Sequence, residues 1–156
     1  MFINIPFPTF FPTLLSCERL KTSWPLAMYM PPRIVILDTN FLLVPYQFKI
    51  NIMKDLDYLI DKQHRFVISS GTIDELKKIG KSKSKDGIAA RLALKILENN
   101  DIEIIKNEMG VDDWIVEYAK ETGAIVCTND SALRKRLRAF RVKMVAVKSR
   151  ARLGFV

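Results

Sequence analysis

At 156 residues, the chain is long enough for one domain with a real core and too short to expect two. Its composition, 49% apolar and 27% charged, is that of a soluble globular protein, and its single histidine, His64, argues against Ser-His and Cys-His nucleophilic chemistry. The net charge of +8 is concentrated at one end: residues 131–156 hold nine basic residues and no acid, while the rest, sixteen basic residues against seventeen acidic, is near neutral.

Residues 1–30 form an atypical N-terminal extension, rich in Phe and Pro (Pro6, Phe7, Pro8, Phe10, Phe11, Pro12), with neither helical nor strand periodicity. A signal peptide would need a basic region before its apolar stretch, and none precedes Phe2. The prolines and the short apolar run argue against a membrane helix, which needs about 20 apolar residues. A cytoplasmic protein is therefore expected. Met28 and Met30 stand just before the first clear strand, so the extension is either a misassigned start or a segment that packs on the domain or a second copy. No function is assigned to it.

The domain expected over residues 31–156 opens with Ile34-Val35-Ile36-Leu37, a continuous apolar run as in a strand buried on both faces. A short helix from Asn40 follows, then one through Met53, Leu56, Leu59 and Ile60. Phe66-Val67-Ile68 is the next strand. Ser69, Ser70 and Thr72 offer capping hydroxyls to a helix containing Ile73, Leu76 and Ile79. A polar loop is predicted over Lys81 to Gly87 and a helix over Ile88 to Asn99. Ile102 to Ile105 is a strand, Asp112 to Thr122 a helix, and Gly123 suits its C-terminus. Ala124 to Cys127 is a strand, Ser131 to about Phe140 a helix, and Val142 to Val147 the last strand. Such alternation implies an α/β fold, three layers α/β/α around a parallel sheet of about five strands.

In such sheets ligands bind beyond the carboxyl ends of the strands, where strand order reverses. Asp38 directly follows the first strand and Asp130 comes just after Ala124–Cys127; if those strands are neighbours, both acids face one crevice. Helical geometry sorts two ambiguous pairs. Glu75 lies about 100° from the centre of its helix's apolar stripe and Asp74 about 160°. Asp112 lies about 50° from its own stripe centre and Asp113 about 150°. Glu75 and Asp112 are the inward members. Taken singly, each acid has a plainer reading: Asp38, Asp112 and Asp130 as helix caps, Glu75 as a surface glutamate. Cys17 and Cys127 have no CxxC neighbour, which argues against structural zinc, and Cys127 sits in an apolar run as a buried cysteine would.

As a set, the motifs resemble the PIN-domain nucleases over Arg33 to Val147. The matching features are Val35-Ile36-Leu37-Asp38-Thr39-Asn40, Ile73-Asp74-Glu75-Leu76, Asp112 eleven residues before Gly123, and Thr128-Asn129-Asp130. The resemblance implies a metal-dependent endoribonuclease with Asp38, Glu75, Asp112 and Asp130 as its catalytic and metal-binding residues. It also implies cleavage inside an RNA strand, leaving a 5′-phosphate and a 3′-hydroxyl. Oxygen-only ligation suits Mg²⁺ or Mn²⁺ rather than zinc, with two ions expected. Asp38, Asp112 and Asp130 would hold one, and Glu75 would place the second or the attacking water.

Asp130 to Arg138 looks like the branch of the family linked to ribosomal RNA processing in archaea and eukaryotes, which makes a ribosomal RNA precursor the expected partner. Leu133, Leu137 and Phe140 are expected to face the core, beside a stripe of Arg134, Arg138 and Arg141. With Lys135, and with Lys81, Lys83 and Lys85 in a second basic run, these are the candidate RNA contacts; a solvated basic tail is the plainer alternative. PIN domains often dimerise, so a homodimer is also implied. Two rival readings are a PIN fold that clamps RNA without cutting and a VapC-type toxin nuclease. A dehalogenase-like phosphatase would need an Asp where Asn40 stands.

Overall fold

The computed structural model describes residues 30–60 and 63–156; the expectation for the N-terminal extension lies, but for Met30, outside them. Strand β1 (Arg33–Leu37) leads through two short helices, α1 (Thr39–Leu42) and α2 (Val44–Phe48), and then α3 (Ile52–Leu59) into β2 (His64–Ser69). Helices α4 (Ser70–Gly80) and α5 (Lys85–Asn99) precede β3 (Ile102–Ile105), and α6 (Val111–Thr122) precedes β4 (Ile125–Cys127). Helix α7 (Ser131–Ala139) precedes β5 (Met144–Lys148), and a single 3-10 turn, Ser149–Ala151, joins β5 to β6 (Arg152–Phe155).

The sheet order is β3-β2-β1-β4-β5-β6. Strands β1 to β5 pair in parallel, as expected. The sixth strand differs: β6 pairs antiparallel with β5. Its four residues contain a glycine and no apolar run, and Ala151, at φ 56, turns the chain into it; neither feature reads as a strand. β1 and β4 are neighbours, with Leu37 opposite Cys127. Strand order therefore reverses between them, and that is where the fold places its crevice.

Side chains alternate across the central strands, so each feeds two cores. Val35, Leu37, Ile125 and Cys127 join α1 to α5 on one face, around Phe41, Leu56 and Leu76. Ile36, Val67 and Val126 join α6 and α7 on the other, around Trp114, Ile115, Leu133 and Leu137. Full burial of the last two leucines contributes roughly 1.5–3 kcal/mol each and holds α7 on the sheet. Phe140, expected inside, is instead 50% exposed: α7 has ended at Ala139, and the ring lies under the Lys120 ammonium, 4.4 Å from its centroid.

The expected loop over Lys81 to Gly87 is shorter than the polar run suggests. Ser84 caps α5 by accepting the Gly87 N–H, so Lys85, Asp86 and Gly87 form the helix's first turn. A Cβ on Gly87 would stand 2.0 Å from the Ser82 carbonyl oxygen, so glycine alone lets this turn fold back on α4. Gly123, at φ 66, ends α6 as expected. Among the described residues, no helix is long and apolar enough to cross a membrane.

Candidate active site

Asp38 is the first residue beyond β1 and is 2% exposed. It stands at the N-cap position of α1 but makes no side-chain cap bond. Instead its Oδ2 accepts the Thr128 hydroxyl at 2.7 Å, and its N–H donates to the Cys127 carbonyl at 3.1 Å, carrying the β1–β4 pairing into the site. Thr128 is itself buried, and its Oγ accepts the Asp130 N–H at 3.0 Å. One hydroxyl thus ties together the acids that follow two neighbouring strands.

Asp130 does cap a helix: its Oδ1 accepts the N–H groups of Ala132 and Leu133 at the start of α7. The plainer reading of this residue, a helix cap, holds, and its Oδ2 has no partner among the described residues. Asn129, between Thr128 and Asp130, accepts the Val147 N–H on its Oδ1 at 2.9 Å, which pins the turn to β5. Glu75 projects from α4, and the Thr39 hydroxyl donates to its Oε2; Oε1 has no partner among the described residues. Asp112 is the second residue of α6, whose N-cap, Gly110, offers no side chain to its first turn. Each of the three bonded acids is thus oriented by hydrogen bonds to part of its carboxylate, as ligating carboxylates commonly are.

The charges of the acids act on one another. Burial pushes the Asp38 carboxyl up to about 6 against the pull of the Thr128 hydroxyl, and the charges of Asp112 and Glu75 push it further. Asp112 is solvent-reachable yet also raised, first by desolvation and then by Asp130 and Glu75, with Arg136 opposing. Carboxylates that raise one another in this way favour a bound cation. Mg²⁺ and Mn²⁺ fit the donor chemistry, which is all oxygen. Among the described residues, no three His, Cys, Asp or Glu side chains converge into a ready-made ligand group. The site is open rather than enclosed: Glu75 and Asp112 are exposed, and a cavity of about 380 Å³ lies at the far end of the strands, against Arg33, Ile60, Met144 and Phe155.

The basic candidates divide. Arg134 is half-buried in the first turn of α7; Lys135 and Arg138 are exposed on the same helix, and Arg141 is exposed just past its end, at φ 56. At about 1.5 Å of rise per residue, Arg134 and Arg138 stand about 6 and 12 Å along the axis from Asp130. The stripe therefore leads away from the acids. Lys81 caps the end of α4, Lys83 lies in the turn and Lys85 opens α5, all exposed; the cation acting on Asp112 is none of these but Arg136. Arg136 also pairs with Asp113 at 2.6 Å, so the outward acid serves to hold α6 against α7. Sequence reasoning missed Arg136, and it took Thr39 and Thr128 as pattern rather than as hydroxyls that orient Glu75 and Asp38. Cys127 is fully buried and its thiol is pushed far up by desolvation, as an inert core residue.

Known proteins resemble this chain in sequence and fold. A family model described as a PIN like domain matches residues 35–150. The chain is similar to ribonuclease VapC9 of Archaeoglobus fulgidus, 33% identical over 105 residues, covering 67% of this chain and 75% of that one. It is also similar to ribonuclease VapC4 of Methanocaldococcus jannaschii, 30% identical over 120 residues, covering 74% of this chain and 91% of that one. Among solved structures, the PIN domain endonuclease Utp24 matches with a TM-score of 0.67 and 28% identity, over 80% of this chain and 92% of that chain. A strand-end Asp on each side of the switch point, a Glu and an Asp from helices on opposite faces, and these likenesses agree: the chain belongs to the PIN-domain family of ribonucleases.

Proposed function

We propose that the protein is a divalent-metal-dependent endoribonuclease that cuts RNA internally, in the cytoplasm, within ribosomal RNA processing. The observation that carries the catalytic part is the placement of Asp38: nearly fully buried, raised to about 6, and facing the charges of Asp112 and Glu75 with no basic side chain hydrogen-bonded to it. A carboxylate buried and raised in this way costs stability, which is the pattern of a functional site. Bound Mg²⁺ or Mn²⁺ would supply Lewis-acid activation of water and charge neutralisation at the phosphate. With no three carboxylates converging, each ion would take one or two of them directly and fill its shell with water and substrate phosphate, the usual habit of Mg²⁺. Asp38, Asp112 and Asp130 would serve one ion between them, one or two directly and the remainder through its water shell. Glu75, steadied by Thr39, keeps Oε1 to orient the attacking water or help hold a second ion.

The ribosomal part rests on the basic segment. Arg134, Lys135, Arg138 and Arg141 form a track from Asp130 along α7, suited to the phosphates of a long or structured RNA. A second reading, a VapC-type toxin ribonuclease, is favoured by the likeness to two VapC ribonucleases.

One experiment addresses both parts. Purified protein is incubated with single-stranded and structured RNA in Mg²⁺, Mn²⁺ or EDTA, beside an Asp38→Asn/Asp112→Asn double variant. Internal cuts that need metal and vanish in the variant are expected, as is RNA binding by the variant that weakens steeply with salt. Binding without cleavage in either metal would leave only an RNA clamp. Growth arrest on expressing the intact chain without a partner would favour the toxin reading.

A further inference from the structure

The four acids have unequal support. Asp38 directly follows β1, Asp130 follows the paired strand β4 by three residues, and Thr128 joins them directly. Glu75 and Asp112 instead ride on α4 and α6, which pack on opposite faces of the sheet. Asp112 follows β3, an edge strand paired only with β2, so the loop from Lys106 to Gly110 has a neighbour strand on one side only. Like charges on Asp112, Glu75 and Asp130 push these elements apart.

One residue in that loop closes the gap. The Asn107 N–H donates to the Ser70 hydroxyl oxygen at 3.1 Å, and the Ser70 hydroxyl donates back to the Asn107 carbonyl at 3.3 Å. The Asn107 Nδ2 donates to the Ser69 hydroxyl oxygen, which is fully buried and also caps α4 by accepting the Gly71 N–H at 3.0 Å. Its Oδ1 accepts the Met109 N–H at 2.6 Å, which shapes the approach to α6. Beside this network, a Cβ on Gly71 would stand 2.9 Å from the Val111 side chain, so the first turns of α4 and α6 are already in contact. The spacing is symmetrical: Ser70 lies five residues before Glu75, and Asn107 five residues before Asp112.

We infer that Asn107 is a positioning residue of the carboxylate site, a clasp that binds the β3–α6 loop to the start of α4 and so sets the distance between Asp112 and Glu75. Its backbone bonds to Ser70 place the loop, and its amide locks the last degree of freedom by bridging Ser69 and Met109. With the amide removed, repulsion among the acids is free to swing the start of α6 outward, and an ion then meets donors at the wrong separation. Partners bonded directly to a ligand typically carry 10–100-fold in metal affinity, and a clasp acting one step further out is expected at the low end of that range.

The inference rests on the reading of the acids as a metal-binding nuclease site, and the test separates the two. Mn²⁺ binding is measured by calorimetry on wild type, Asn107→Ala, Ser70→Ala and Asn107→Asp, with RNA affinity in EDTA and urea unfolding measured alongside. Asn107→Ala is expected to weaken Mn²⁺ binding about tenfold and leave RNA affinity unchanged. Ser70→Ala, which keeps the amide, is expected to weaken Mn²⁺ less. Asn107→Asp is expected to recover much of the affinity, because the Ser69 hydroxyl can donate to a carboxylate in place of accepting from the amide. Folded variants that lose stability but bind Mn²⁺ as wild type does would overturn the clasp and leave the nuclease reading standing. Wild type that takes up no Mn²⁺ would overturn both.

Discussion

Replacing Asp38 with Asn is expected to make the metal-free protein more stable at neutral pH while abolishing cleavage. The Asp38 carboxyl titrates at about 6 in the folded chain against an ordinary 3.8. A folded value above the unfolded one means that the folded state binds the extra proton. Its contribution is therefore present below about 4 and is lost as pH rises through about 6. A shift of about 2 units corresponds to roughly 3 kcal/mol of strain in the ionised protein at pH 8. Asn removes that charge and can still accept the Thr128 hydroxyl that now bonds to Asp38 Oδ2. Urea unfolding in EDTA from pH 4 to 8 should show the Asp38→Asn variant and wild type nearly equal at pH 4, with the variant ahead by roughly 3 kcal/mol at pH 8. Added Mg²⁺ should narrow the gap, because the ion stabilises the wild type preferentially. A gap that does not change with pH, or a wild type that is the more stable at pH 8, would refute the claim that this carboxylate is held at an energetic cost.

Two further predictions concern the scaffold. Thr72 is fully buried on α4 with no hydrogen-bond partner for its hydroxyl among the described residues, so Thr72→Val should raise stability by about 1 kcal/mol, the relief of one unsatisfied polar group; a loss in urea unfolding would mean that the hydroxyl does have a partner. Gly87→Ala should destabilise by about 1–3 kcal/mol or more, because its methyl would strike the Ser82 carbonyl where α5 folds back on α4; a midpoint unchanged within error would show that this turn yields easily.

The chain's local patterns carried most of the fold. The run Ile34 to Leu37 and the strand around Val126 announce themselves as buried on both faces, because each alternates into a different core. Helical angle separates Glu75 and Asp112 from Asp74 and Asp113; in the structure all four are exposed, Asp113 pairs with Arg136, and Asp112 feels the charges of Asp130 and Glu75. Local patterns misled where an element's role depends on its neighbours. The lysine- and serine-rich run hid the first turn of α5, whose start depends on Ser84 capping and on Gly87 fitting against Ser82. Phe140 has helical spacing with Leu133 and Leu137, but the helix stops one residue short of it. β6 exists only because β5 offers it an edge.

For the site, the sequence by itself determined which carboxylates are present and which helix face or strand end each occupies, because those follow from 3.6- and 2-residue periodicities. Only the tertiary structure decided how they stand relative to one another. Pairing of β1 with β4 sets Asp38 and Asp130 on either side of one switch point. The bonds that orient the acids join residues 36, 90 and, through the Asn107 clasp, 37 or 38 positions apart. No periodicity spans such distances; they are closed by packing two helical layers against one twisted sheet.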